Sequence, residues 1–531
     1  MSFSSLLPAL GFTAEGAVPP RRAGLRRAAA AVLLGVLLTA AQPPYGLWPA
    51  ALLGWGLAAL LWAEAAARGP LAAFFAGWAL GTGAFLSGLW WIGEAFFVDA
   101  ARHGWMAPFA IAGLGAGLGL FWGLAFAAAA RLARPGAAPA APSGLPAALL
   151  FAGAMAAVEY ARTHVLTGFP WGLPAYALSQ TPVAQAASFL GPHGLGLALI
   201  LGPAAAALVR RRPPRLAAAA LSLAALAAAW SWGAGREAAA PAPGLEAPVL
   251  RLVQPNATQA DKWRPELAAM WFDRLLALSA APEGDSVPDL VIWPETAGPW
   301  LLKREPEVRA RIAEAAGGAP VLLGVRRVGV DARGTGEWRN AVQALSPAGE
   351  IIASYDKHHL VPFGEYVPLG SVMHRIGLGA FVGASFGSGP GPAALDLPGL
   401  PRAQPQICYE TIFPHEVLRG AARPAWIVQV TNDAWFGASA GPWQHFHQAR
   451  MRAIEQGLPV VRAANTGISA VIDARGRTLA ALPLNEAGAL QAALPPADPP
   501  TPYARTGDWP AIAAILACLA LGAATRFLYR S

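Results

Sequence analysis

The sequence predicts a polytopic α-helical membrane domain of about eight transmembrane helices joined to one α/β domain. Three observations carry that expectation. The 531 residues are 55% hydrophobic and only 13% charged, and the mean hydropathy of +0.41 lies far on the membrane side of globular usage. Long apolar runs fill the N-terminal half and recur at the C-terminus. Between them lies a stretch of ordinary polarity in which short strand-like runs alternate with amphipathic segments.

Runs of about 17 to 25 residues with no central charge are long enough to cross a hydrocarbon core as helices. They fall near Gly24–Gln42, Trp48–Ala67, Leu71–Trp91, Ala107–Ala130, Ala147–Ala161, Val183–Val209, Leu216–Trp232 and Trp509–Leu528, the fifth being the weakest. Arg21, Arg22, Arg26 and Arg27 before the first run also fit a signal peptide, but the spans that follow favour an uncleaved helix. Arginines at 21–27, 68, 131 and 134, 210–215, and 526 and 530 fall on alternate ends of the spans. The positive-inside rule then places both termini in the cytoplasm and Ala247–Tyr503 outside.

Residues 1–235 are therefore read as the membrane domain with about seven spans, and 236–246 (REAAAPAPGLE) as a linker. Residues 247–505 form the external domain, and 506–531 a last span with its tail. Pro248–Arg505 holds 23 of the 39 basic and 23 of the 31 acidic residues, so the net charge of +8 resides wholly outside it. The excess is a topology signal, and the balanced domain argues against a nucleic-acid partner.

Along the external domain the expected order is VLRLVQ, a helix over Asp261–Ala280, DLVIW, a helix over Glu305–Ala316, and APVLLGV. The strand ending in Cys408, WIVQVT, a helix around Gln444–Gln456, and PVVRAA follow. ISAVIDARG and RTLAAL read as a hairpin. There is no internal repeat, Walker loop or dinucleotide fingerprint.

Three chemical residues stand at or near strand ends: Glu295 after DLVIWP, Lys357 in SYDKHHLVPFGEY, and Cys408 in QICYETIF. A carboxylate, an ammonium and a thiol make a complete acyl-transfer set: a base, a charge for the oxyanion, and a nucleophile. Spacing alone leaves Glu295 and Lys357 open as surface charges and Cys408 as a small buried hydrophobe. The other cysteine, Cys518, belongs to the last span, so a disulfide is not expected and Cys408 reads as a free thiol on the oxidising side of a membrane. Histidines cluster at 358, 359, 445 and 447, but His445 and His447 stand about 200° apart on a helix, a poor zinc pair. No metal or other cofactor is implied.

WPET at Trp293–Thr296, YDKHHLVPFGEYVP at Tyr355–Pro368, ICYE at Ile407–Glu410 and TNDAWFG at Thr431–Gly437 together resemble the nitrilase superfamily. That resemblance implies an α-β-β-α sandwich with a Glu-Lys-Cys triad. More narrowly, GPWQHFHQARMRAIEQGLPVVRAANTGISAV at Gly441–Val471, with LWW at Leu89–Trp91 and GFPWG at Gly168–Gly172, resembles the apolipoprotein N-acyltransferases along nearly the whole chain. Carried over, Glu295 is the general base, Lys357 the electrostatic partner and Cys408 the nucleophile. Glu365 and Glu410 match further acidic positions, Glu365 orienting Lys357 or holding a proton, with a buried salt bridge to the same lysine as the alternative for both. Trp263, Tyr409, Asn432 and Trp435 match pocket positions, or are packing.

The resemblance implies a bacterial inner-membrane enzyme, monomeric, with its catalytic domain in the periplasm. Cys408 would take an acyl group from a membrane phospholipid, and the α-amine of a diacylglyceryl-modified apolipoprotein would then attack the thioester. Drawing a chain of about 15 methylenes into water costs roughly 12 kcal/mol, which docking on the bilayer avoids. The apolar stretch Pro368–Gly391 reads as a lid dipping into lipid, or as a packed loop. A membrane-tethered amidase and an inactive lipid-binding scaffold are the competing classes.

Overall fold

The computed structural model describes residues 20–133, 141–280, 287–331, 334–368, 375, 385–418 and 423–528. The chain divides into two compact units, one built from residues up to Ala238 together with those from Thr501 onward, the other from Ala239–Pro500.

The first unit is helical: α1 (Pro20–Thr39), α2 (Trp48–Arg68), α3 (Pro70–Leu89), α4 (Ala107–Ala133), α5 (Gly144–His164), α6 (Ala187–Leu208), α7 (Arg212–Ala238) and, from the C-terminus, the helix Trp509–Leu528. Among the described residues six helical segments are long and apolar enough to cross a membrane, those containing α2 to α7. Without a hydrophobic force between helices in lipid, close backbone approach drives their packing. A Cβ on Gly81 of α3 would lie 2.9 Å from the Cα of Gly119 on α4, so only glycines let these two helices touch. The weak fifth run also has a physical explanation. Helix α5 carries Glu159 and Arg162, 3% and 1% exposed, which pair with each other. The Trp122 indole donates to Glu159 at 2.7 Å, and Arg162 donates to the carbonyls of Phe169 and Trp171. Paired and hydrogen-bonded in this way, two charges are tolerated inside an apolar helix.

The second unit is a two-sheet sandwich. Its first sheet has the order β11-β1-β2-β3-β4-β5, with β1 (Val249–Gln254), β2 (Leu290–Trp293), β3 (Val321–Val330), β4 (Gly336–Leu345), β5 (Ile351–Asp356) and β11 (Gly488–Ala493). Strands β1 to β3 are parallel, and β4, β5 and β11 pair antiparallel to their neighbours. The second sheet has the order β10-β9-β8-β7-β6, with β6 (Ala403–Ile407), β7 (Trp426–Thr431), β8 (Val460–Ala464), β9 (Ser469–Ile472) and β10 (Thr478–Leu482). Here β6, β7 and β8 are parallel, and β9–β10 is the expected antiparallel hairpin.

The alternation within each strand explains the layers. Leu250, Leu252, Ile292, Leu322 and Val342 of the first sheet meet Val428, Val430, Val461 and Val471 of the second in one core. Their alternates, Val253, Val291, Trp293, Val321 and Leu323, face outward under helices α8 (Ala268–Ser279) and α9 (Pro306–Ala315). Helix α10 (Ala440–Gln456) covers the second sheet through Phe446, Ala449 and Ala453. The order is therefore α-β-β-α.

Two expectations need revision. The helix expected over Asp261–Ala280 begins only at Ala268, because Pro265 holds Arg264 in an extended conformation (ψ 120°) and opens a short 3-10 turn. Lys262 and Trp263 therefore lie in a loop. Strand β6 ends at Ile407, and Cys408 opens a 3-10 turn with φ +50°, a left-handed conformation for a non-glycine residue. Most of the stretch expected as a lid, residues 369–374 and 376–384, lies outside the described residues. Its end is fixed by main-chain bonds: Phe386 N to Glu365 O, Gly387 N to Trp338 O and Gly389 N to Lys357 O, each 2.8 Å.

Candidate active site

The candidate residues converge at strand ends of both sheets, where a rigid scaffold aims loops into one place. Glu295 follows β2, Lys357 follows β5, Cys408 follows β6, and Asn432 follows β7.

Glu295 is 6% exposed and held on both oxygens. Its Oε1 accepts from Asn340 Nδ2 at 2.7 Å and its Oε2 from the main-chain N of Asn432 at 2.9 Å. The second bond ties a carboxylate of the first sheet to the backbone of the second. Gly324 of β3 makes the seat: a Cβ there would lie 2.5 Å from the Cα of Glu295.

Lys357 is 1% exposed. Its Nζ lies 2.9 Å from Glu365 Oε2, 3.0 Å from Glu365 Oε1, and 3.6 Å from Glu295 Oε1. Burial works to depress the ammonium, yet Glu365 and then Glu295 outweigh it and hold its pKa above the ordinary lysine value. The lysine stays charged. Asn340 Nδ2 also donates to Glu365 Oε1 at 2.8 Å, so one amide bridges both carboxylates. A flipped amide would set its oxygen against two anions, which fixes the orientation.

Cys408 is 6% exposed. Burial, and next the charge of Glu295, push its thiol above the ordinary value, while Lys357 and a hydrogen bond with Thr431 pull the other way without prevailing. Its surroundings thus favour the neutral thiol over the thiolate. The turn that carries it is fastened from two sides. His445, fully buried, places Nε2 3.1 Å from the Cys408 carbonyl and Nδ1 2.9 Å from Asp433 Oδ1. Arg462 donates to Asp433 Oδ2.

Glu410 fastens the other side. Its Oε2 accepts from Ile407 N at 2.7 Å, and its Oε1 from Tyr355 OH at 2.9 Å and His358 N at 2.7 Å. It thus joins the Lys357 loop to the Cys408 turn. A salt bridge to Lys357, considered for both acidic residues, is made by Glu365; Glu410 turns to Tyr355, His358 and main-chain donors instead. Tyr409 is 6% exposed and packs edge-on against Phe413 and His359. Asn432 accepts from Asn465 Nδ2 and donates to Gln259 Oε1, both at 2.8 Å. Trp263 and Trp435 are exposed aromatics, the second in the turn after β7.

Several residues escaped the sequence reading: Asn340, Asp433, Lys262, and His445 in its structural place. Lys262 is buried and donates from Nζ to the Glu295 main-chain oxygen at 3.1 Å. Burial lowers its pKa to about 8 against the opposing pull of Glu295. The sequence did contain a signal for it, a lysine beside Trp263 shortly before a proline.

A family model described as carbon-nitrogen hydrolase matches residues 250–498, and one described as the apolipoprotein N-acyltransferase N-terminal domain matches residues 34–205. Solved structures include a nitrilase-superfamily amidase from Nesterenkonia, 20% identical, covering 48% of this chain and 94% of that one with a TM-score of 0.35. Curated relatives named apolipoprotein N-acyltransferase match almost end to end. Those of Rhodopseudomonas palustris (42% identity, 94% of each chain), Bradyrhizobium diazoefficiens (42%, 95% of each) and Caulobacter vibrioides (39%, 92% of each) are examples. By identity sustained over nine-tenths of its length, this chain belongs to the apolipoprotein N-acyltransferase family.

Proposed function

We propose that this multi-pass membrane acyltransferase moves a fatty acyl group from a membrane phospholipid to the α-amine of a lipoprotein's diacylglyceryl-cysteine, through a thioester on Cys408. One observation supports this most. A buried thiol, Cys408, a buried carboxylate, Glu295, and a buried ammonium, Lys357, all follow strand ends of the sandwich; Lys357 Nζ lies 3.6 Å from Glu295 Oε1, and that carboxylate is itself held by Asn340 and the Asn432 amide.

In the first step Glu295 takes the thiol proton, sulfur attacks the ester carbonyl, and Lys357 stabilises the oxyanion. Collapse breaks the ester C–O bond, and Glu295 returns the proton to the leaving lysophospholipid. In the second step the amine, neutral in part because its pKa is near 8, attacks the thioester. Glu295 takes the nitrogen's proton, the C–S bond breaks, and the thiol is restored. A thioester retains a leaving group that the product amide lacks, so this half runs downhill. Glu365 holds Lys357 in place throughout, and Trp263, Tyr409 and Trp435 line the entry for the substrates.

The arginine pattern supports placing the catalytic unit on the periplasmic side of the inner membrane. The test is incubation of the full chain with phospholipid bearing a labelled acyl chain, followed by mass analysis of Cys408. The expected result is one acyl adduct and an equal amount of lysophospholipid, both lost in Glu295→Gln. Free fatty acid without an adduct that passes to an amine would favour amide-type hydrolysis instead.

A further inference from the structure

On the inner face of the first sheet, Gly324, Arg326 and Val328 of β3 lie directly opposite Val342, Asn340 and Trp338 of β4. Directly paired residues of an antiparallel ladder project to the same face, with Cβ atoms about 5 Å apart. Arg326 therefore stands beside Asn340, the amide that holds Glu295 and Glu365. Gly324 cedes its space to the Glu295 backbone, so Arg326 is the next side chain outward from the base along that face.

Its surroundings are unusual for an arginine. The guanidinium carbon lies 4.4 Å from the Trp263 ring centroid and 5.7 Å from that of Trp338. Both indoles are partly open to solvent, 37% and 42% exposed. Among the described residues the Arg326 side chain has no hydrogen-bond or ion-pair partner, and its Nε is buried. Its neighbour Arg327 differs, being held by both oxygens of Asp356 at 2.5 Å. Glu295 and Glu365, the carboxylates held by its cross-strand neighbour Asn340, are already engaged by that amide, by Lys357 and by the Asn432 amide.

A stacked, half-buried guanidinium with unused donors matches two oxygens of a tetrahedral phosphate in a forked pair of hydrogen bonds, whereas an ammonium would offer only a point charge. Partly exposed indoles suit the boundary between a polar headgroup and acyl chains. In a glycerophospholipid the phosphate lies only a glycerol's length from the ester carbonyl that a nucleophile attacks. We propose that Arg326, stacked between Trp263 and Trp338, binds the phosphodiester of the acyl donor and makes the enzyme prefer phosphate-bearing lipids to phosphate-free acyl esters. This rests on the reading that a phospholipid is the donor.

The test uses the full chain in detergent micelles with two donors, dipalmitoyl phosphatidylglycerol and the phosphate-free p-nitrophenyl palmitate. The readout is the ratio of the rates at which each places a palmitoyl group on Cys408, followed by intact-protein mass. Arg326→Gln should lower that ratio about 10- to 100-fold, the worth of one charge-assisted hydrogen bond. Arg326→Lys, which keeps the charge and loses the fork, should fall between. An unchanged ratio, including equal slowing with both donors, would overturn the inference while leaving the donor reading intact. A wild-type enzyme acylated by the nitrophenyl ester but not by phosphatidylglycerol would overturn both.

Discussion

Replacing Asn340 by aspartate isolates the electrostatics of the site. The native amide donates to Glu295 at 2.7 Å and to Glu365 at 2.8 Å. Aspartate of the same shape puts a third carboxylate where a donor stood. At an effective dielectric of about 20, a unit charge at 2.7 Å repels another by about 6 kcal/mol, an upper bound equal to about four pH units of proton affinity. The cluster relieves itself by binding a proton, and Glu295 then acts as a base only at higher pH. Asn340→Leu removes the same two bonds without adding charge. Single-turnover acylation of Cys408 should be followed by intact-protein mass from pH 5 to 9. Asn340→Leu should slow it about 10- to 100-fold, the scale of losing the one charge-assisted bond of the two that reaches Glu295. Asn340→Asp should lose about 10-fold more at neutral pH, with its acid limb moved upward by one or more units. Coincident pH profiles for both variants and wild type would refute the idea that this amide keeps the base available.

Three other perturbations test separate parts of the site. In Gly324→Ala the new Cβ meets Glu295 Cα at 2.5 Å, Pro294 O at 2.6 Å and Thr296 N at 2.8 Å. All three are backbone atoms that no rotamer change can clear. A stability loss of about 1–3 kcal/mol and about a 100-fold slower acylation are expected from denaturant titration and the mass assay. Cys408→Ala should form no adduct and Cys408→Ser none or a stalled one, while Cys518→Ala, in the last helix of the other unit, should acylate normally. His358 is raised to about 9, burial being outweighed by Glu410 and Glu416. Its contribution is therefore complete below about pH 6.5 and lost as pH rises through 9, at most about 2 kcal/mol after allowing for solvent screening. The thermal midpoint should fall across that window in wild type and stay flatter in His358→Gln.

Legibility in the sequence followed the range of the interactions. The apolar helices were visible because lipid demands the same composition from each of them alone. The fifth was faint because Glu159 and Arg162 cancel each other only in three dimensions. Glu295, Lys357 and Cys408 could be picked out because strand ends and a rare thiol are local features, sharpened by family motifs. Asn340 could not, since its part depends on the register of β3 with β4 and on carboxylates 45 and 25 residues away. Lys262 was hidden by an amphipathic pattern that ran across Pro265 as though it were helical. Asp433 and His445 looked like polar residues of a turn and a helix, and only the packed second sheet brings them beneath the Cys408 carbonyl.

The antiparallel pairing of β11 with β1 has a bearing on biogenesis. Val249–Gln254 opens the sandwich, and its outer partner, Gly488–Ala493, is synthesised more than 230 residues later. Glu295, Lys357 and Cys408 have all been translated by then, yet β1 still lacks its outer partner and has an open edge. Contacts of such long sequence separation form late. A nascent or truncated chain thus carries Cys408 without a completed sheet beside it. The order of the chain leaves the first sheet complete only when synthesis has nearly finished, so an enzyme working through Cys408 as proposed gains its full scaffold last.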